Sequence, residues 1–172
     1  LPAMERRHNN LRDVGLSLRW LRSTGSTGGG TSSSSSPAPS LPPCGRLLRC
    51  GAIDSCTFEE LRRPATVVNL RMGDEGDIDS SLEASGVKFV HIPAENKLEK
   101  YDTSDPDVQE WLSRAVGVAA SEGLGLPLLY HCRSGRDRTG VVVAALLLIL
   151  NVPESLVVRE FLLSDGAEEK NV

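Results

Sequence analysis

The sequence predicts an α/β fold, a central and mostly parallel sheet flanked by helices. Two observations lead there. From Gly45 onward, short β-branched apolar runs alternate with segments of helical period, the pattern of a sheet covered on both faces. The chain has 172 residues, 40% of them hydrophobic, which suits one domain with a real core but not two.

The elements follow in order. The stretch 4-MERRHNNLRDVGLSLRWLR-22 is Arg-rich and puts Leu11, Val14, Leu18 and Leu21 on one helical face, as organelle transit peptides do; a plain disordered extension is the other reading. Residues 23–43, STGSTGGGTSSSSSPAPSLPP, cannot bury enough surface to offset the entropy of ordering and read as a flexible linker. Residues 1–43 are therefore expected to be a disordered or targeting extension, and 44–172 the domain. Arg46–Ile53 reads as a first strand, and 57-TFEELRR-63 as a short helix with Thr57 and Glu60 spaced as a capping box. Then come 65-ATVVNLR-71, a buried strand, 78-IDSSLEASG-86, a helix closed by Gly86, and 87-VKFVHIP-93, a strand stopped by Pro93. An amphipathic helix at 107-DVQEWLSRAVGVAASEG-123 precedes the strand 126-LPLLYH-131, and Thr139–Leu150 and Pro153–Ser164 are the last two helices.

Charge and cysteines narrow the function. Residues 1–44 hold five Arg against Glu5 and Asp13, while 45–172 hold 14 basic and 21 acidic residues, so the predicted domain is acidic and broad nucleic-acid binding is excluded. The longest apolar run, Val141 to Leu150, is ten residues, too short to span a membrane. Cys44, Cys50, Cys56 and Cys132 form no C-x-x-C pair and follow no secretory segment, so they read as reduced thiols in an intracellular protein, cytoplasmic or in an organelle. The acidic run Asp74, Glu75, Asp77 and Asp79 reads as a solvated loop rather than a metal site.

The chemistry concentrates in 132-CRSGRDRTG-140, which joins a buried strand to a buried helix. Ligands in such sheets sit beyond the carboxyl ends of strands, where Cys132 lies. A loop there turns several amides inward as an anion nest, and the following helix adds its unpaired first-turn N–H groups and the positive end of its dipole. Gly135 permits the tight curvature and Gly140 a close approach of the helix. Oriented amides favour a thiolate at Cys132, a nucleophile. Arg138 presents a planar fork that matches two phosphate oxygens, and Thr139 is placed to donate to the sulfur. Arg133 and Arg136 at the rim can meet charge beyond the phosphate being cleaved.

The sequence H-C, five residues, R-T-G resembles the signature loop of the cysteine-dependent protein tyrosine phosphatase superfamily. It is most similar to the atypical microbial tyrosine and lipid phosphatases, whose loop reads H-C-x-x-G-K-D-R-T; here Arg136 stands for that lysine and Asp137 is retained. The likeness extends to 46-RLLRCGAID-54, 66-TVVNLR-71 and 160-EFLLSDG-166, with Asn69 where the family usually has Asp. It implies a phosphatase-like fold, a thiophosphate intermediate on Cys132, transition-state stabilisation by Arg138, phosphate binding by loop residues 133–136 with Thr139 and Gly140, and no metal or other cofactor. The substrate it implies is a phosphotyrosine protein, a phosphoinositide or both. The general acid is left open: Asn96 in 92-IPAEN-96 stands where dual-specificity members carry Asp and cannot supply a proton, which leaves Asp137 first, then Glu95 and Asp102. The competing reading is an inactive phosphate-binding module. The chain stops at Val172, soon after its last helix and earlier than that branch usually does, so a truncated domain is also expected.

Overall fold

A computed structural model of the chain describes residues 9–24, 41–73, 76, 78–94 and 102–167. The chain forms strand β1 (Arg12–Asp13), helix α1 (Val14–Thr24), strands β2 (Leu47–Cys50) and β3 (Thr66–Asn69), helix α2 (Ser80–Ala84), strand β4 (Lys88–His91), helix α3 (Pro106–Gly117), strand β5 (Leu128–His131), and helices α4 (Asp137–Ile149) and α5 (Glu154–Phe161). The sheet runs β1-β2-β5-β3-β4, with β2 to β5 parallel and β1 antiparallel on the edge of β2.

Period-two alternation splits the strands between two cores. Leu47, Val68, Leu128 and Tyr130 enter the larger one, with Leu18 of α1, Trp111 of α3, Val143 of α4 and Val157 of α5. Leu48, Val67 and Leu129 enter a smaller one beneath Leu61 and Leu82. Each such side chain contributes roughly 1.5–3 kcal/mol by leaving water. The register puts Cys50, His131, Asn69 and His91 in one row across the sheet, so the carboxyl ends of four strands finish level. The loop after β5 therefore stands on a flat crest.

The boundary expected at Cys44 is corrected: residues 9–24 and 41–43 belong to the folded unit. Leu11, Val14, Leu18 and Leu21, the stripe that reads as a targeting face, are all buried in the core. Asp13 accepts Leu16 N–H at 3.1 Å across the first turn of α1, and its other oxygen takes Gly45 N–H. Arg12 reaches Glu160 of α5 at 2.7 Å. Residues 1–8 and the linker stretch 25–40 lie outside the described residues, as do Asp74, Glu75 and Asp77; Asp79 caps α2 by accepting Ser81 N–H.

Residues 57–63 form a single turn rather than a helix. The capping box closes, Glu60 accepting Thr57 N–H at 2.9 Å and Thr57 Oγ1 accepting Glu60 N–H at 3.2 Å. Arg62 and Arg63 then turn left-handed, at φ 64° and 54°, ahead of Pro64, which disfavours a helical residue before it. Expected helix 107–123 is α3 plus a 3-10 turn, Val118–Ala120, and α4 begins at Asp137, two residues before the expected Thr139. Among the described residues no helix is long and apolar enough to cross a membrane.

Candidate active site

Loop 132–136 leaves β5 at the crest and runs straight into α4. Helices α2 and α3 start on Asp79 and Asp105, which accept first-turn amides, but α4 starts on Arg136 with no side-chain cap. Its first-turn N–H groups remain open for an anion.

Four consecutive carbonyls of the loop are held from one side. Arg133 O accepts Ala52 N–H at 3.0 Å, Ser134 O accepts Asn10 Nδ2–H at 2.8 Å, and Gly135 O accepts Arg49 Nη2–H at 2.8 Å. Arg136 O accepts Gly140 N–H at 2.8 Å and a longer bond from Arg49 at 3.3 Å. A trans peptide carries its C=O and the next N–H in opposite directions, so these four bonds turn the amides of residues 134–137 to the other side of the loop. The result is an anion nest set before any ligand arrives. Gly135 sits at φ 70°, and a Cβ there would collide with the backbone of Cys50 and Gly51, so conformation and space both require glycine. A Cβ at Gly140 would meet the Phe161 ring of α5, 2.7 Å from Cδ2, and would stand 3.2 Å from Arg49 Nη2 of β2, so this glycine admits α5 as well as the sheet.

Arg49 is fully buried in β2 and its hold on the loop depends on Glu160. Glu160 Oε2 accepts from Arg49 Nη1 and Oε1 from Arg12 Nε, both at 2.7 Å, and Ser164 Oγ accepts from both arginines. Burial pushes the Glu160 carboxyl up, but Arg49 and Arg12 outweigh it and hold Glu160 below the ordinary carboxylate range. Burial pushes Arg49 down to about 10, against the attraction of Glu160, so it stays charged at neutral pH. Sequence reasoning missed this triad and Asn10. The available signal was a charge inside an apolar strand, Arg49 in LLRC, and another in an apolar helix, Glu160 before FLL; two such charges call for each other.

The predicted residues gather at this loop. Cys132 is 1% exposed and His131 is fully buried below it. Arg138 is 8% exposed, and its Nη1 donates to Leu70 O and Ala94 O at 3.1 Å each, the chain just past β3 and β4. Two strand ends thus aim the guanidinium, whose other N–H groups make no bond to the described residues. Asn69 steadies that receptor: its Oδ1 accepts Arg71 N–H at 2.8 Å and its Nδ2 donates to Gly73 O at 3.1 Å, a donation no carboxylate could make. Thr139 is buried, yet its hydroxyl has no hydrogen-bond partner among the described residues, so the expected bond to the Cys132 sulfur is not made.

The rim departs further from expectation. Arg136 is not turned outward. Its Nε and Nη2 hold both oxygens of Asp137 at 2.8 and 3.2 Å, and its Nη1 donates to Gly166 O at 3.1 Å. Arg133 is exposed and its side chain makes no bond to the described residues. Asp102 is fastened to Ser104, whose hydroxyl and amide hold it below the ordinary carboxylate range. Glu95 and Asn96 lie outside the described residues. All four cysteines are unbridged; Cys50 and Cys56 pack in the smaller core, on the other face of the sheet from Cys132.

A family model described as the tyrosine phosphatase family matches residues 43–172. Triple specificity protein phosphatase PtpB of Mycobacterium tuberculosis is 28% identical over 95 residues, 55% of this chain and 32% of PtpB, so the chain matches about a third of that relative's length. The Siw14 catalytic core superposes with a TM-score of 0.56 at 17% identity, over 72% of this chain and 73% of that one. A cysteine-to-serine variant of P. aeruginosa TpbA in complex with phosphotyrosine gives 0.51 at 21% identity, over 77% and 80%. The two structures share the fold.

Proposed function

The chain belongs to the tyrosine phosphatase family, and from that premise we propose that it hydrolyses phosphomonoesters through a cysteinyl phosphate on Cys132. The observation that carries the reading is the set of four loop carbonyls held to one side, which turns the amides of residues 134–137 toward a common anion. Cys132 sulfur attacks phosphorus, an S–P bond forms, and the bond from phosphorus to the ester oxygen breaks. Charge on the transferring group is met by the loop amides and by the unspent N–H groups of Arg138. Asp137, in the first turn of α4, gives its proton to the leaving oxygen. Water then attacks phosphorus, Asp137 takes the proton back, the S–P bond breaks, and inorganic phosphate leaves. No cofactor enters these steps.

Asp137 is the preferred acid over Glu95 and Asp102 because it stands in the first turn of α4, directly after the loop, while Asp102 is fastened to Ser104. Phosphotyrosine is the favoured substrate: with Arg136 spent on Asp137 and Gly166, the rim offers less charge than the sequence suggests. Exposed Arg133 supports a second reading, a phosphoinositide whose further phosphate meets that guanidinium.

The test is phosphate release, with no metal added, from an aryl phosphate, phosphotyrosine peptides, phosphoserine peptides and phosphoinositides, with Cys132→Ser beside the wild type. Release that vanishes in the variant is expected. Release from no member while phosphate still binds would make the chain a phosphate-binding module. Arg133→Ala slowing phosphoinositide turnover more than aryl phosphate turnover would favour the lipid.

A further inference from the structure

We propose that Asn10, on the segment ahead of β1, is a positioning residue of the phosphate loop. The inference rests on reading 132–136 as a phosphate loop, and it concerns residues ahead of the stretch 43–172 that the family match covers.

Asn10 sits at φ 63°, a left-handed conformation that Asn tolerates better than most residues because its short amide bonds locally. Three bonds hold it there. Gly51 N–H donates to Asn9 O, Arg12 Nη1 donates to Asn10 O at 3.3 Å, and Asp165 N–H donates to Asn10 Oδ1 at 2.9 Å. The last bond settles the orientation of the amide: oxygen faces Asp165, and Nδ2 donates to Ser134 O at 2.8 Å. Space is reserved for this arrangement. A Cβ at Gly51 would stand 2.6 Å from Asn9 Cβ and 3.1 Å from Arg133 O, so only glycine lets the segment lie against the loop.

The Ser134 carbonyl is the second of the four held carbonyls, and its peptide carries the Gly135 N–H. Arg133 O is held by backbone and Gly135 O by Arg49, but Ser134 O depends on one neutral side chain. Removing that donor frees one peptide plane to rotate and costs the nest one of its amides. Asn10 acts through Ser134 and touches no substrate.

The experiment compares wild type, Asn10→Gly, Asn10→Asp and Leu18→Ala as full chains. Glycine keeps the left-handed backbone and deletes the side chain; aspartate keeps the acceptor for Asp165 but loses the donation to Ser134. Leu18→Ala loosens α1 in the core without touching the loop. The readouts are affinity for inorganic phosphate, hydrogen exchange of the amides of residues 134–137, and melting temperature. Both Asn10 variants are expected to bind phosphate about tenfold more weakly and to exchange faster at 134–137, with Leu18→Ala losing more melting temperature but keeping both loop readouts. Wild-type affinity and exchange in Asn10→Asp would overturn the role of the donation. Equal loosening of the loop by Leu18→Ala would reduce Asn10 to a structural residue. A wild type that binds no phosphate overturns the phosphate-loop reading itself, a result the variants alone cannot give.

Discussion

The two ends of α4 differ as sharply as any parts of the molecule. At its N-terminus the groups that hold the loop are polar and placed: Arg49, Asn10 and Ala52 donate to its carbonyls, and Glu160 and Ser164 hold Arg49 through buried hydrogen bonds. At its C-terminus Leu148, Ile149 and Leu150 are 51%, 64% and 50% exposed, and Ile149 and Leu150, with Leu41, Leu126 and Val116, border an open apolar cavity of about 640 Å³. One helix thus joins an end where direction matters to an end where only area does. The chemistry belongs to the directional end, because an oriented amide is worth more to an anion than any amount of apolar surface.

Substitutions test this contrast from the strongest effect to the weakest. Cys132→Ser should lower turnover of an aryl phosphate by about 10⁴-fold or more, measured by phosphate release, since the nucleophile has no substitute. Glu160→Gln should cost about 3–5 kcal/mol in urea denaturation, because it leaves two buried arginines without their counterion. The same residue predicts a pH dependence. Arg49 and Arg12 hold Glu160 below the value it has unfolded, so its contribution is complete above about pH 4.5 and lost as pH falls through the lower native value. Glu160→Gln should flatten that part of the stability profile. Asp137→Asn should slow a poor alkyl leaving group by about 100-fold and a nitrophenolate much less, because only the poor leaving group needs the proton. Ile149→Ser should change stability by no more than about 0.5 kcal/mol and leave turnover alone. A large loss of turnover in that last variant would break the division between the two ends.

Much of this was legible in the sequence, and what was not follows a rule. The strands at 66–69, 88–91 and 128–131 and the helices on either side of β5 declare themselves by local period, and Cys132, Gly135 and Arg138 fall within seven residues, on the loop and the first turn of α4. Asn10 meets Ser134 from 124 residues away along the chain, and Glu160 acts through Arg49, which is 111 residues from Glu160 and 86 from Gly135, and no local pattern announces such a partnership. The segment 9–24 misled for a related reason. An Arg-rich amphipathic stripe is the same string whether its apolar face meets a receptor or a core, and the burial of that face, with the bond from Arg12 to Glu160, distinguishes them. The rim misled through proximity: Arg136 and Asp137 are neighbours, and two opposite charges side by side neutralise each other before either reaches outward.

The shared carboxylate of Glu160 also sets an order of events during synthesis. A ribosome delivers the chain N-terminus first. Arg12 and Arg49 stand opposite each other in the β1–β2 register, and two guanidinium groups cannot be buried side by side without an anion between them. That anion arrives only with residue 160, on α5. The β1–β2 pair and the bracket that Arg49 places on the Gly135 carbonyl therefore close last, once α5 docks.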